Sequence, residues 1–541
     1  MIGRREMIVA GALAGALMPL VRAQSSRSAG SSTNHFDYLI VGAGSAGCVL
    51  ARRLTEGGAR VLVLEAGGPD AAPEIHDPLA WPGLQGTTVD WQYRTVAQAG
   101  TGDRIHAWAR GKVLGGSSSI NAMGHQRGHP SVFAEWVRGG AKGWSYPELL
   151  PYFKRQETFA GGASEYHGGE GPVFIDVPTG ARRSPVARDF IAAGIAAGYA
   201  PTDDLNGASM EGPAWNHLAI RAGRRQSAAG CYLQPALASR NPPTVLINAS
   251  VTQLLFAGTR CTGVEYLHDG KRQTVRAAAE VLLTAGSIES PKLLLLAGIG
   301  PPDALARHDI AIRSALPGVG QNLQDHLLGA GVVYECVQSI PLSHYQHGEA
   351  MHFLRIAPQI DAPDVLLMCV TVPFASAAFP PPPGNAYTIL PCLMQPRSRG
   401  SVALRSRDPL ASPLIDPNYL SVDAEVATLL RGYEVARDIG ARPALKAWRR
   451  AEIYPGPRWR SAADRERFVR DSVNTFFHPV GTCAMGSSEQ AVVDSSLRVR
   501  GVENLRVIDA SVMPLIPNAM PHAAVLAIAE RAADLIIRAA R

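Results

Sequence analysis

One hexapeptide constrains this chain more than any other feature: Gly42-Ala43-Gly44-Ser45-Ala46-Gly47, a GxGxxG spacing between two different kinds of segment. Before it runs Phe36 to Val41, apolar and β-branched. After it, residues 45–54 carry small side chains at helical spacing, and a second apolar run, Val61 to Leu64, ends on Glu65. Strand, glycine turn, helix, strand and acid in that order make a βαβ unit suited to a dinucleotide. Gly42 permits the tight turn, Gly44 lets a pyrophosphate approach the backbone, and Gly47 lets the helix pack on the strand. The helix start at Ser45 and Ala46 offers amides and positive dipole to the phosphates. Glu65 would accept from both ribose hydroxyls, which favours a cofactor without a 2′-phosphate. Ser45 is no hydrolase nucleophile, because an elbow needs glycine two residues earlier, where Ala43 stands.

The rest of the chain has the length for more than one domain. Its 541 residues, 46% hydrophobic and 18% charged, can bury a large core. A net charge of +6 is spread without any dense Lys/Arg block, which argues against nucleic acid. Seven scattered cysteines form neither a disulfide framework nor a CxxC metal site, and His125 and His129 lack a third ligand nearby, so no metal is expected. At the N-terminus, Arg4-Arg5 and a short apolar run over 7–21 precede small residues near Ala23. This reads as a twin-arginine-like signal peptide over 1–23 and a polar linker over 24–34, hence export to a periplasm without a stable membrane anchor. An uncleaved extension on a cytoplasmic protein is the alternative.

Further strands are expected at 244–248, 263–266, 281–284 and 505–508, with helices at 290–297 and 523–538. Residues 301–474 contain a Pro-rich loop and alternating segments, the pattern of a second, antiparallel domain.

Beyond the hexapeptide, four further stretches carry recognisable patterns. Gly111-Lys112-Val113-Leu114-Gly115-Gly116-Ser117-Ser118-Ser119-Ile120-Asn121 is the first, and residues 286–300 are the second. His478-Pro479-Val480-Gly481-Thr482 and the segment from Asp509-Ala510-Ser511 to Pro521-His522 complete them. Together and in this order they resemble the glucose-methanol-choline oxidoreductases over nearly the whole chain, with Ala297 where the family usually has Ser. The resemblance implies an α/β fold, a Rossmann-like FAD-binding domain interleaved with an α+β substrate domain on an antiparallel sheet. The FAD-binding domain is then 35–300, with part of the substrate domain inserted around 150–215. Residues 301–474 form the substrate-binding domain, and 475–541 return to the FAD domain with the active-site histidines.

The resemblance also implies that Gly115, Gly116, Ser117 and Asn121 approach the flavin, that Val251 meets the adenine, and that Asp509 and Ala510 meet the pyrophosphate. Ile120 stands where some relatives attach FAD through histidine, so noncovalent FAD is expected. His478 and His522 match the catalytic pair, His478 as principal base and His522 at the substrate oxygen. An imidazole suits the base role because it titrates near working pH. The expected reaction oxidises a primary alcohol, aryl or otherwise apolar, to the aldehyde, with oxygen or another redox acceptor as partner. A dehydrogenase using quinone or cytochrome and a non-redox lyase of hydroxynitrile-lyase type are the alternatives, and oligomeric state stays open. Trp91, Tyr93, Phe374, Phe379, Phe476 and Phe477 are candidate pocket aromatics, Asp325-His326 reads as structural, and Cys483 as packing.

Overall fold

The computed structural model describes residues 35–540 apart from Pro358 and Ala377; the signal and linker expected over 1–34 lie outside the described residues. A parallel sheet runs in the order Thr244–Leu246, Val61–Leu64, Phe36–Val41, Lys271–Leu283, Leu505–Val507. Its central strands read as continuous apolar runs because both faces are covered, and Val61–Leu64 is buried throughout. Lys271–Leu283 belongs to two sheets at once. Its apolar end pairs in parallel with Phe36–Val41, while its polar beginning pairs antiparallel with Arg260–His268, which in turn pairs with Ser250–Ala257.

The second large sheet is antiparallel, in the order Arg449–Tyr454, Val332–Cys336, Ala386–Leu393, Val365–Val370, Ala350–Leu354, Gly212–Trp215. Side chains alternate between its faces, as strand geometry requires. Ala350, Leu354, Val365, Leu367 and Ile389 join the core that contains helix Asp423–Ala441. Met351, Phe353, Leu366, Val370 and Leu390 point the other way, into a smaller cluster with Phe374 and Phe476. Short strands Leu327–Leu328 and Asn474–Thr475 pair at its margin. Of the stretch 150–215, Gly212–Trp215 edges this sheet, whereas helix Tyr146–Arg155 is tied to the C-terminal helix by Arg155 on Glu530 at 2.7 Å.

That C-terminal helix, His522–Ala539, lies along the first helix, Ser45–Glu56. Arg53 grips the fully buried Glu530 with two hydrogen bonds of 2.8 Å. The bidentate pair fixes the register of the two helices, so the residue that opens one helix is held relative to the glycine turn that opens the other. Among the described residues no helix is long and apolar enough to cross a membrane.

Candidate active site

A single cavity of about 920 Å³ runs from the glycine turn to the antiparallel sheet. It lies near the upper end of the roughly 300–1,000 Å³ usual for small-molecule sites. At its first end it is lined by Gly42, Gly44, Ser45, Ala46 and Glu65. Glu65 accepts the Ala43 and Gly67 amides, one on each carboxylate oxygen and both at 2.8 Å. Each oxygen keeps a lone pair for a ribose hydroxyl. Burial pushes this carboxyl up to about 7, against the pull of the two amides. Gly47 lies behind the wall, where a Cβ would sit 2.0 Å from the Gly42 carbonyl; only glycine lets the helix come this close.

The loop 111–121 closes over the turn. Gly115 donates to the Ala43 carbonyl at 2.8 Å, and a Cβ on Gly116 would meet the Gly44 Cα at 2.8 Å. Gly116, Ser117, Ile120 and Asn121 line the cavity, while Gly115 stands just outside it; Val251 and Ala510 line it on the far side. Asp509 also lines it, with both oxygens already engaged. One takes Gly286 N at 2.9 Å and the Ser290 hydroxyl at 2.6 Å, the other the Ser511 amide at 2.8 Å and its hydroxyl at 2.5 Å. Its visible work is to tie helix Gly286–Leu296 to the 3₁₀ turn Ala510–Val512, so the cavity-facing group here is Ala510 with its neighbouring backbone.

At the other end stand His478 and His522. Pairing of Leu327 with Thr475 brings residue 326 beside residue 476, whose amide donates to the His326 carbonyl at 2.9 Å. His326 and His478 then face each other with their Nδ1 atoms 3.0 Å apart, and His326 Nε2 donates to the Met394 carbonyl at 3.1 Å. A carbonyl only accepts, so His326 carries its proton on Nε2 and offers a lone pair at Nδ1. His478 must therefore donate from Nδ1, which leaves its Nε2 as a lone pair, the form a base needs. Asp325 secures the same turn: it accepts the His478 amide at 2.8 Å, the Thr475 hydroxyl at 2.6 Å and the Tyr419 hydroxyl at 2.5 Å.

His522 is the first residue of its helix, and neither ring nitrogen has a hydrogen-bond partner among the described residues. Burial and the nearby Arg225 guanidinium bring it down to about 4. Burial, His326 and Arg110 hold His478 well below the ordinary histidine range as well. Both rings are thus neutral at neutral pH.

Two expectations need correction. Asp325-His326 is not merely structural, since it fixes the position and tautomer of His478. Phe379 lies off the cavity, stacked on Phe468 at 5.1 Å, whereas Trp91, Tyr93, Phe374, Phe476 and Phe477 line it. Cys483 is fully buried packing. Sequence reasoning missed two arginines, Arg225 buried and Arg110 half-buried. Arg110 donates to the Phe477 carbonyl at 2.5 Å, and Arg225 holds Asn121 through its side chain at 2.7 Å and its carbonyl at 2.6 Å. Isolated cations in a chain rich in scattered arginine carry no local signal of burial.

The donor set fits FAD: a ribose acceptor with free lone pairs, a helix start with bare amides, a glycine loop against it, and a long continuation to the histidines. A dinucleotide fold with a second antiparallel sheet closing over paired histidines defines a flavin-dependent oxidoreductase acting on CH–OH groups. GMC oxidoreductase family models match residues 36–328 and 396–529, and the chain belongs to that family. It is 40% identical to pyridoxine 4-oxidase of Microbacterium luteolum over 92% of this chain and 98% of that one. It is 39% identical to mitochondrial choline dehydrogenase of Mus musculus over 97% and 94%. The crystal structure of pyridoxine 4-oxidase from Mesorbium loti superposes with a TM-score of 0.89 at 42% identity, covering 92% of this chain and 99% of that one.

Proposed function

We propose that the protein oxidises a primary alcohol with an aryl or otherwise apolar body to the aldehyde. The observation that carries this is the wall facing the histidines: Met351, Met368, Val370, Phe374, Leu390 and Phe476. The carboxylates lining the cavity are Glu65, Glu289 and Asp509. Glu289 is spent on the Tyr93 hydroxyl at 2.6 Å and Lys292 at 3.1 Å, and Asp509 on its four donors. A quaternary ammonium finds no unpaired anion there, while a neutral ring is well accommodated. Similarity to two pyridoxine 4-oxidases supports the ring.

The hydroxyl proton passes to the histidine pair, with the His478 Nε2 lone pair facing the substrate oxygen. Bound FAD supplies the hydride acceptor. FAD is held without a covalent bond, because Ile120 occupies the position from which a histidine would reach it. Electrons pass on to oxygen, in line with the pyridoxine 4-oxidase relatives, and the chain is exported through its Arg4-Arg5 signal.

Anaerobic mixing with benzyl alcohol, a pyridinemethanol and choline tests the reading. Aryl alcohols should bleach the flavin faster than choline does, and no bleaching by any alcohol would sink it. Admitting air should restore the colour quickly; recolouring by a quinone analogue and not by air assigns a dehydrogenase. Acid denaturation should release free flavin.

A further inference from the structure

Behind His522 lies a buried polar cluster that does not line the cavity. His125, fully buried, sets its ring edge-on to His522 with centroids 6.3 Å apart. Its Nε2 lies 3.8 Å from Glu157 Oε2. Glu157 Oε1 accepts from Arg127 at 2.7 Å and shares a hydrogen bond of 2.7 Å with His167 Nδ1, and His167 Nε2 reaches Asp204 at 3.0 Å. His217 flanks the line, its Nε2 3.7 Å from the other Asp204 oxygen. Asp204 is where the cluster meets solvent, its side chain one-third exposed.

Two properties separate this from a structural network. Buried polar groups are normally paired, yet both nitrogens of His125 and of His522, Glu157 Oε2 and His217 Nε2 have no hydrogen-bond partner among the described residues. A buried polar site with open valences is one that single waters bridge. The charges also differ along the line: Arg225 opposes a proton on His522, burial holds His125 down to about 3 so that it does not keep one, and Asp204 and Glu157 raise His167 above the ordinary histidine range against its burial. His478 offers no such route, because its partner His326 ends on the Met394 carbonyl, which cannot carry a proton onward.

We propose that this cluster is a proton exit, running from His522 through His125, Glu157 and His167 to Asp204 at the surface. The proposal rests on the alcohol-oxidation reading. As the carbon loses its hydride with the bonding electron pair, the O–H bond breaks and the proton joins the histidine pair. Both rings line one cavity, and the proton that takes this exit is the one His522 holds. His125 then accepts on one nitrogen and gives up a proton from the other to Glu157. His167, held between two carboxylates, accepts from Glu157 and delivers to Asp204, and Asp204 to water. His125, Glu157, His167 and Asp204 are positioning residues for proton transfer; only His478 and His522 line the cavity that takes the substrate.

The holoenzyme is mixed with its best alcohol without oxygen, in weak buffer with a pH-indicator dye, and bleaching and proton release are followed together. In the parent protein the two coincide. In His125→Leu, bleaching stays within a few-fold while proton release lags by an order of magnitude or more, and added imidazole restores it. Asp204→Asn, altered at the partly exposed end, should show a smaller lag rescued by concentrated buffer, and it serves if His125→Leu does not fold. Proton release that still coincides with bleaching in the folded variants overturns the exit. Bleaching absent from the parent protein overturns the oxidation reading instead, and the exit with it.

Discussion

The Nδ1 atoms of His326 and His478 stand 3.0 Å apart, and one of them must donate. The Met394 carbonyl decides which, by accepting the only proton His326 has when neutral. His326→Leu removes the acceptor and lets His478 turn or change tautomer, so that Nε2 is protonated for part of the time. Flavin reduction should slow by about 10-fold to 100-fold, the usual cost of losing a group that orients a functional imidazole, with little change in apparent substrate affinity. Stopped-flow reduction across substrate concentrations checks this; an unchanged limiting rate would remove His326 from the mechanism.

A second prediction concerns pH. Burial and then Arg225 bring His522 to about 4, and burial with His326 and Arg110 depresses His478 too. A depressed histidine keeps its lone pair free at every pH above its own value. The limiting rate of reduction should therefore be flat from pH 6 to 9 and fall only as pH drops toward about 4. A limb centred near the ordinary histidine value of about 6.5 would show the rings to be far more hydrated in the working enzyme.

The dinucleotide end was legible because its signal is local: glycine spacing, a strand on each side and Glu65 all fall within one βαβ unit. The parallel sheet and the C-terminal helix could be read from apolar runs for the same reason. Helix Gly286–Leu296 begins before the expected 290 because Asp509, distant in sequence, takes the Gly286 amide. The long strand Lys271–Leu283 was visible only at its apolar end, since its first half is polar and partnered by another hairpin strand. The histidine pair could be placed by its flanking motifs, but not the groups that govern it. Asp325-His326 meets His478 across more than 150 residues, and His125, in a loop, meets Glu157 at the start of strand Glu157–Phe159, contacts that no local pattern encodes.

Glu65 yields a test in the flavin-free protein. Its carboxyl rises from an ordinary 4.5 to about 7 because burial outweighs the amides of Gly67 and Ala43. A raised folded-state value adds stability that is complete below about 4.5 and lost as pH climbs through about 7. The gap corresponds to about 3 kcal/mol at most. Denaturant melts of the deflavinated protein should show this decline between pH 4.5 and 7, and Glu65→Gln should lack it. Parallel curves for the two proteins would place the ionised carboxylate in a better-solvated setting than the fold indicates.

His478→Ala separates chemistry from assembly. The turn that carries this ring is anchored by backbone: Asp325 takes the amide of residue 478, and the Pro479 carbonyl accepts the Ser287 hydroxyl at 2.7 Å. Neither contact needs the imidazole, and none of the groups at the dinucleotide end touches it. The variant should bind FAD with the parent's stoichiometry and melt at a similar temperature. Its reduction by alcohol should slow by ~10²-fold or more, because the remaining ring, His522, lacks a partner that fixes its tautomer. Reduction at the parent rate with FAD in place would take His478 out of the proton transfer and leave His522 as the sole base.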